Sequence, residues 1–102
     1  MDHQRLERLH LAVHAFVNQL SELPASAASK PVMIVSIESF NKLLSIAKEL
    51  LTEDSAFLPN ELPTNAQGPC STHVTYVDLR IAANQTFAVI QNRLPMGGVV
   101  IG

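Results

Sequence analysis

The fold of this chain is decided near its N-terminus, in residues 2–23, which read DHQRLERLHLAVHAFVNQLSEL. Apolar side chains recur there at alternating intervals of three and four residues: Leu6, Leu9, Val13, Phe16, Leu20 and Leu23. This spacing places them on one face of an α-helix, whereas a half-buried strand would alternate with a period of two. Pro24 follows directly, and helices usually end before a proline. We therefore predict an amphipathic helix over residues 2–23.

Residues 31–52 repeat the pattern of the first segment. Their regularly spaced apolar residues are Met33, Ile37, Phe40, Leu44, Ala47 and Leu51. A short connection of small residues, 24–30, joins the two segments. Two matched apolar faces with a short connection predict an antiparallel helical hairpin. One alternative stays open, in which Val32 to Val35 form a brief buried strand and Ser36 caps a shorter helix.

The remainder of the chain has a weaker pattern. Residues 53–71 contain three prolines and a glycine without helical period, so we predict a loop, held over the hairpin by apolar side chains. Those side chains are Phe57, Leu58 and Leu62. Residues 73–94 fit an amphipathic helix, although their β-branched content also fits a β-hairpin. We predict a helix there and a mainly α protein, whereas a hairpin would make the fold α+β.

A short apolar tail follows the third segment. Gly97 and Gly98 are expected to turn the chain, and Val99, Val100 and Ile101 come after them. Three consecutive apolar residues are too few for a helix and are poorly accommodated in water. We predict that this tail is extended and docks on its own fold or on a neighbouring subunit.

Composition limits the class of protein. The chain has 102 residues, 47% of them hydrophobic and 16% charged, which fits one globular domain spanning residues 1–102. A net charge of −2, without a basic cluster, gives no basis for binding nucleic acid. The polar start, residues 1–5, does not resemble a signal peptide, and no apolar run is long enough to span a membrane. We expect a cytoplasmic location and no membrane partner.

A polar stripe on the first helix is the strongest candidate for chemistry. Its members, His3, Glu7, His10 and His14, are separated by four, three and four residues, so they share one helix face. Two histidines one turn apart can chelate a transition metal, and Glu-x-x-His occurs in di-iron bundles. The second segment offers no histidine to complete such a site. An ordinary solvated edge, with no cofactor, is the alternative that we favour.

Cys70 and His73 are a second candidate pair. A nucleophilic cysteine needs a base within hydrogen-bond reach, and His73 is the nearest base in the sequence. No third group that would orient the imidazole can be identified, so we favour an incidental thiol.

These patterns favour a non-enzymatic helical interaction module, such as an adaptor, a small chaperone or an assembly subunit. The expected interaction seam consists of Leu6, Leu9, Val13, Phe16, Leu20, Met33, Ile37, Phe40, Leu44 and Leu51. Two helices carry more apolar surface than one hairpin can cover, which predicts a homo-oligomer, with a protein partner also possible. The alternatives are a metal-binding or metal-sensing bundle that uses the histidine stripe, and a small enzyme whose site forms between subunits.

Overall fold

The computed structural model describes residues 3–94 and confirms a mainly helical fold. Three α-helices, three short strands and two 3-10 helices follow one another along the chain: α1 (His3–Ser21), a 3-10 helix (Ala25–Ala27), β1 (Pro31–Met33), α2 (Ile34–Leu50), a second 3-10 helix (Thr52–Phe57), β2 (Ala66–Gln67), β3 (Cys70–Thr75) and α3 (Tyr76–Arg93). The predicted tail, Val99 to Ile101, lies outside the described residues. Among the described helices, none is long and apolar enough to cross a membrane.

The first two helices are antiparallel, as the sequence predicts. Arg5, near the start of α1, lies 3.6 Å from the carboxylate of Glu49, near the end of α2. Phe16, in the second half of α1, has its ring centroid 6.1 Å from that of Phe40, in the first half of α2. Both side chains of the ion pair are well exposed, so packing rather than charge stabilises the hairpin.

The third segment is a helix, as predicted, but it begins at Tyr76 rather than at His73. Thr75 and Asp78 form a capping box: Thr75 N donates to Asp78 Oδ2 at 3.0 Å, and Asp78 N donates to Thr75 Oγ1 at 3.5 Å. Tyr76 N and Val77 N donate to carbonyl oxygens of the connection between α1 and β1. The N–H groups of the first turn are therefore satisfied, which explains why the helix begins there.

The strands correct two predictions. Residues 53–71 are not a loop throughout, since they contain most of the second 3-10 helix, β2 and the start of β3. Residues 31–33 are a strand and not the first turn of a helix, which agrees in part with the alternative left open for Val32 to Val35. In the antiparallel sheet, of order β1-β3-β2, Pro31 pairs with Thr75 and Ala66 with Ser71.

The core lies where α1, α2 and α3 meet, and α1 packs more extensively on α3 than on α2. Eight of the ten residues of the expected interaction seam are buried in it: Leu6, Leu9, Val13, Leu20, Ile37, Phe40, Leu44 and Leu51. Phe16 is half-buried, and Met33 is 45% exposed in β1. Most of the seam therefore forms the interior of one chain.

Candidate interaction surface

The segment between α2 and the sheet is held firmly in place. The Asn41 side chain forms two hydrogen bonds with the backbone of Leu62, one to its oxygen at 3.0 Å and one from its nitrogen at 2.9 Å. Gln85 Nε2 donates to the carbonyl oxygen of Phe57 at 2.9 Å, and Arg93 Nε lies 2.8 Å from Asp54 Oδ2. These contacts fix residues 54–62 against α2 and α3.

Two large apolar side chains on this framework are exposed. Of the three side chains predicted to hold the segment down, Leu58 is buried and Leu62 is partly buried against the core, whereas Phe57 is 66% exposed. Ile81, on the outer face of α3, is 61% exposed. Burying such a side chain would stabilise the protein by about 1.5–3 kcal/mol. Exposed apolar groups mark an interaction surface where they belong to a contiguous apolar patch.

Each of these side chains lines a groove. The first groove, of about 440 Å³, lies beside the first half of α3 and is lined by Ile81, Leu62 and Pro63 among others. The second groove, of about 330 Å³, lies beside the end of α3 and is lined by Phe57 and Ala88 among others. The α3 residues that line the two grooves include Asp78, Ile81, Gln85, Ala88 and Asn92, at alternating intervals of three and four. Both grooves therefore follow one face of α3.

The grooves differ in charge. Glu61 and Asp78 line the first groove, and neither is in an ion pair with any residue in the range 3–94. Asp78 accepts hydrogen bonds from Thr75 but keeps its negative charge at the rim. In the second groove, Arg93 lies 2.8 Å from Asp54 and 3.8 Å from Glu53. The acidic groups of the first groove therefore have no paired cation among the described residues, whereas those beside the second groove share Arg93.

An exposed stripe of α1 carries a basic residue beside an apolar one. Arg8, Leu11 and Ala15, separated by three and four residues, are exposed on it, and Leu11 is 66% exposed. Arg8 is in no ion pair with a residue that the structure describes. It also lines a shallow depression of about 210 Å³ against Ile46 of α2. Glu7, one turn before Leu11, is exposed at the edge of this stripe.

The last two residues of the polar stripe, His10 and His14, lie against α3. The rings of His10 and His14 stack on Phe87 with centroid distances of 5.1 and 5.3 Å, and their own centroids are 6.2 Å apart. His10 Nε2 is buried without a hydrogen-bond partner among the described residues. Burial of the ring, and secondarily the charge of His14, lower the pKa of His10 below its ordinary value of 6.5.

The first two residues of the stripe, His3 and Glu7, are exposed. Within residues 3–94, no group of three or more His, Cys, Asp or Glu side chains is arranged to hold a metal ion. The histidine pair has no third protein ligand in that part of the chain.

Cys70 and His73 are not brought together. Cys70 is half-buried at the start of β3, and His73 is exposed, with Nδ1 2.8 Å from Thr72 Oγ1. Among the hydrogen bonds of residues 3–94, none joins Cys70 to His73, and the register of β3 against β1 is irregular between them. The structure therefore contains no nucleophile–base pair formed by these two residues within one chain.

Compared with protein-family models, curated proteins and solved structures, the chain matches none of them. Function therefore has to be inferred from the residues of this chain.

Proposed function

We propose that this protein is a small, non-enzymatic interaction module, of the adaptor, small-chaperone or assembly-subunit kind, that works by self-association. The first groove is the docking surface, and its occupant is the exposed face of α1 of a second copy. The observation that supports this most strongly is the unpaired acidic charge of the first groove beside the exposed side chain of Ile81.

The chemistry of the two surfaces is complementary. Leu11 of one copy would bury its side chain against Ile81 of the other, which removes two exposed apolar groups from water. Arg8 would lie near Glu61, so that a positive and a negative rim charge meet. Each chain carries both surfaces, so reciprocal docking across a two-fold axis would close a dimer. Rim charges of this kind set specificity and the rate of association more than affinity.

The experiment is a molar-mass measurement by light scattering or sedimentation equilibrium. Wild type is expected at twice the 11.1 kDa of one chain at micromolar concentration. Ile81→Asp places a charge in the contact and is expected to give the monomer mass. Val35→Asp is the matched control, since Val35 is also 61% exposed but does not line the first groove. A wild type that is monomeric at all concentrations, or equal dissociation of both variants, would overturn the proposal.

A second candidate function, binding of a transition metal, is favoured by the buried and unpartnered His10 Nε2 beside His14. Two neutral imidazoles one helical turn apart supply two ligands to an ion such as Zn²⁺. The test is thermal unfolding of untagged protein at about pH 7.5 with and without zinc, since metal binding needs the neutral imidazole. If the protein binds zinc, zinc should raise the Tm of wild type and leave the Tm of His10→Gln/His14→Gln unchanged. An equal effect of zinc on the two proteins would reject metal binding by these histidines.

We also propose a cytoplasmic location. Its support is the free thiol of Cys70, since free thiols are kept reduced in that compartment.

A further inference from the structure

The second groove lies at the point where α3 ends. Ala88, Asn92 and Arg93 of α3 line it on one side, and Phe57 and Asp54 line it on the other. The described chain continues only to Leu94, and the sequence from 95 onward reads PMGGVVIG. A partly apolar groove therefore lies beside the last turns of α3, and the sequence that follows this helix contains an apolar segment.

We propose that the second groove is the docking site of this chain's own segment Val99–Ile101. This inference goes beyond self-association, because it concerns the other groove and a contact within one chain. It accounts for Phe57, whose ring is 66% exposed at the edge of that groove although its backbone is fixed by Gln85. Val99–Ile101 would cover this ring and shield its own side chains from water.

The reach of the chain is sufficient. The helix α3 ends at Arg93 and the backbone of Leu94 is already extended, as expected for a residue that precedes a proline. Gly97 and Gly98 adopt positive φ without steric penalty and therefore permit a reversal of direction. Ala88 lies about 9 Å back along the helix axis from Leu94. The four residues 95–98 span up to about 13 Å when extended.

The groove also offers polar partners. An extended segment carries backbone N–H and C=O groups that need hydrogen bonds once water is removed. The Asn92 side chain, exposed on the groove wall, supplies a donor and an acceptor. The charge of Arg93 is compensated by Asp54 and Glu53, so the wall presents no unpaired cation among the described residues. A short apolar segment fits this combination better than a charged one.

The first groove is a less suitable site for this segment. Its rim carries Glu61 and Asp78 without paired cations among the described residues. Residues 95–102 contain no basic side chain, so docking there would desolvate these carboxylates without supplying a cation such as Arg8. The first groove is also farther from the end of α3, because the last α3 residue that lines it is Gln85, whereas Arg93 lines the second groove. The second groove is both closer and less charged.

Disulfide trapping in the full-length chain tests the proposal. With Cys70 replaced by Ser, cysteines are introduced at Val100 and at Ala88, an exposed residue of the groove. We expect a disulfide within one chain to form at least tenfold faster than in the control pair Val100→Cys/Val35→Cys. Val35 is also exposed, lines neither groove on α3 and lies outside the proposed dimer contact. Equal rates in the two pairs, or a disulfide that joins two chains, would overturn the proposal.

A second measurement needs no disulfide. In the Cys70→Ser background, the rate of alkylation of Ala88→Cys reports whether the groove is covered. We expect Val100→Asp to raise that rate severalfold, because a charged side chain disfavours docking in an apolar groove, and to leave the rate at Val35→Cys unchanged. An unchanged rate at position 88 would contradict docking. Neither readout depends on self-association, so this proposal and the dimer can fail separately.

Discussion

Gln85 of α3 donates a hydrogen bond of 2.9 Å to the backbone oxygen of Phe57 while the ring of Phe57 remains 66% exposed. The contact fixes the backbone on which the exposed ring is carried, and it separates the two grooves along α3. An apolar group is thus presented to solvent by a rigid support rather than by a loose loop.

We expect Gln85→Ala to lower the free energy of unfolding by about 0.5–1.5 kcal/mol, the net value of one such hydrogen bond. Gln91→Ala is the matched control, because Gln91 is an exposed residue of the same helix. Both substitutions have the same effect on helix propensity, so urea unfolding should separate them. Equal stabilities of the two variants would mean that the Gln85 contact contributes nothing.

The capping box at the start of α3 gives a second prediction. Thr75→Ala removes the hydroxyl that accepts from Asp78 N, and N-cap substitutions of this kind cost about 0.5–2 kcal/mol. Thr64→Ala, in the exposed segment before β2, is the control and should change stability by less than about 0.5 kcal/mol. If Thr75→Ala were as stable as the control, the cap would not determine where α3 begins.

The core predicts different effects for two phenylalanines that occupy equivalent positions in the sequence pattern. Phe40 is fully buried, and Phe40→Ala should destabilise by about 3–5 kcal/mol. Phe16 is half-buried, so Phe16→Ala should cost clearly less. Chemical unfolding of both variants measures the difference. Equal losses would place Phe16 in the core with Phe40.

The buried ring of His10 predicts a pH dependence of stability. Because its pKa is lowered in the folded chain, first by burial and then by His14, the unfolded chain takes up the proton first. The stabilisation is therefore complete above about pH 6.5 and is lost as the pH falls through the lowered pKa of the folded chain. We expect Tm to fall between about pH 7.5 and 5.5, and this fall to be smaller in His10→Gln. His3→Gln, at an exposed position, should behave as wild type, and an unchanged fall in His10→Gln would contradict the assignment.

Local patterns were sufficient to predict the helices. The intervals of three and four residues in α1 and α2 depend only on neighbours along the chain, and most of those apolar residues are buried. The tertiary partner of α1 could not be derived in this way, because an a/d pattern does not specify which helix packs against it. In the structure, α1 packs against α3 more extensively than against α2.

The sheet and the grooves depend on contacts between distant residues. Pro31 pairs with Thr75, and a strand of three residues is too short to show a period of two. The first groove joins Leu62 to Ile81 across the fold, so nothing local to either residue indicates it. The spacing of Asp78, Ile81, Gln85 and Ala88 on one helix face was the available signal, but it also fits a plain solvated edge.

The most direct test of self-association through the first groove is a charge exchange between Arg8 and Glu61, followed by sedimentation equilibrium. Arg8→Glu and Glu61→Arg should each raise the Kd of the dimer by roughly threefold to tenfold, because each places like charges together. The double variant restores an attractive pair and should return the Kd to near the wild-type value, while Glu38→Arg, at an exposed position outside the grooves, should have no effect. If the loss of dimer affinity in the double variant equalled the sum of the losses in the two single variants, expressed as free energies, Arg8 and Glu61 would not be in contact. A wild type that remains at 11.1 kDa throughout the micromolar range would also contradict the contact.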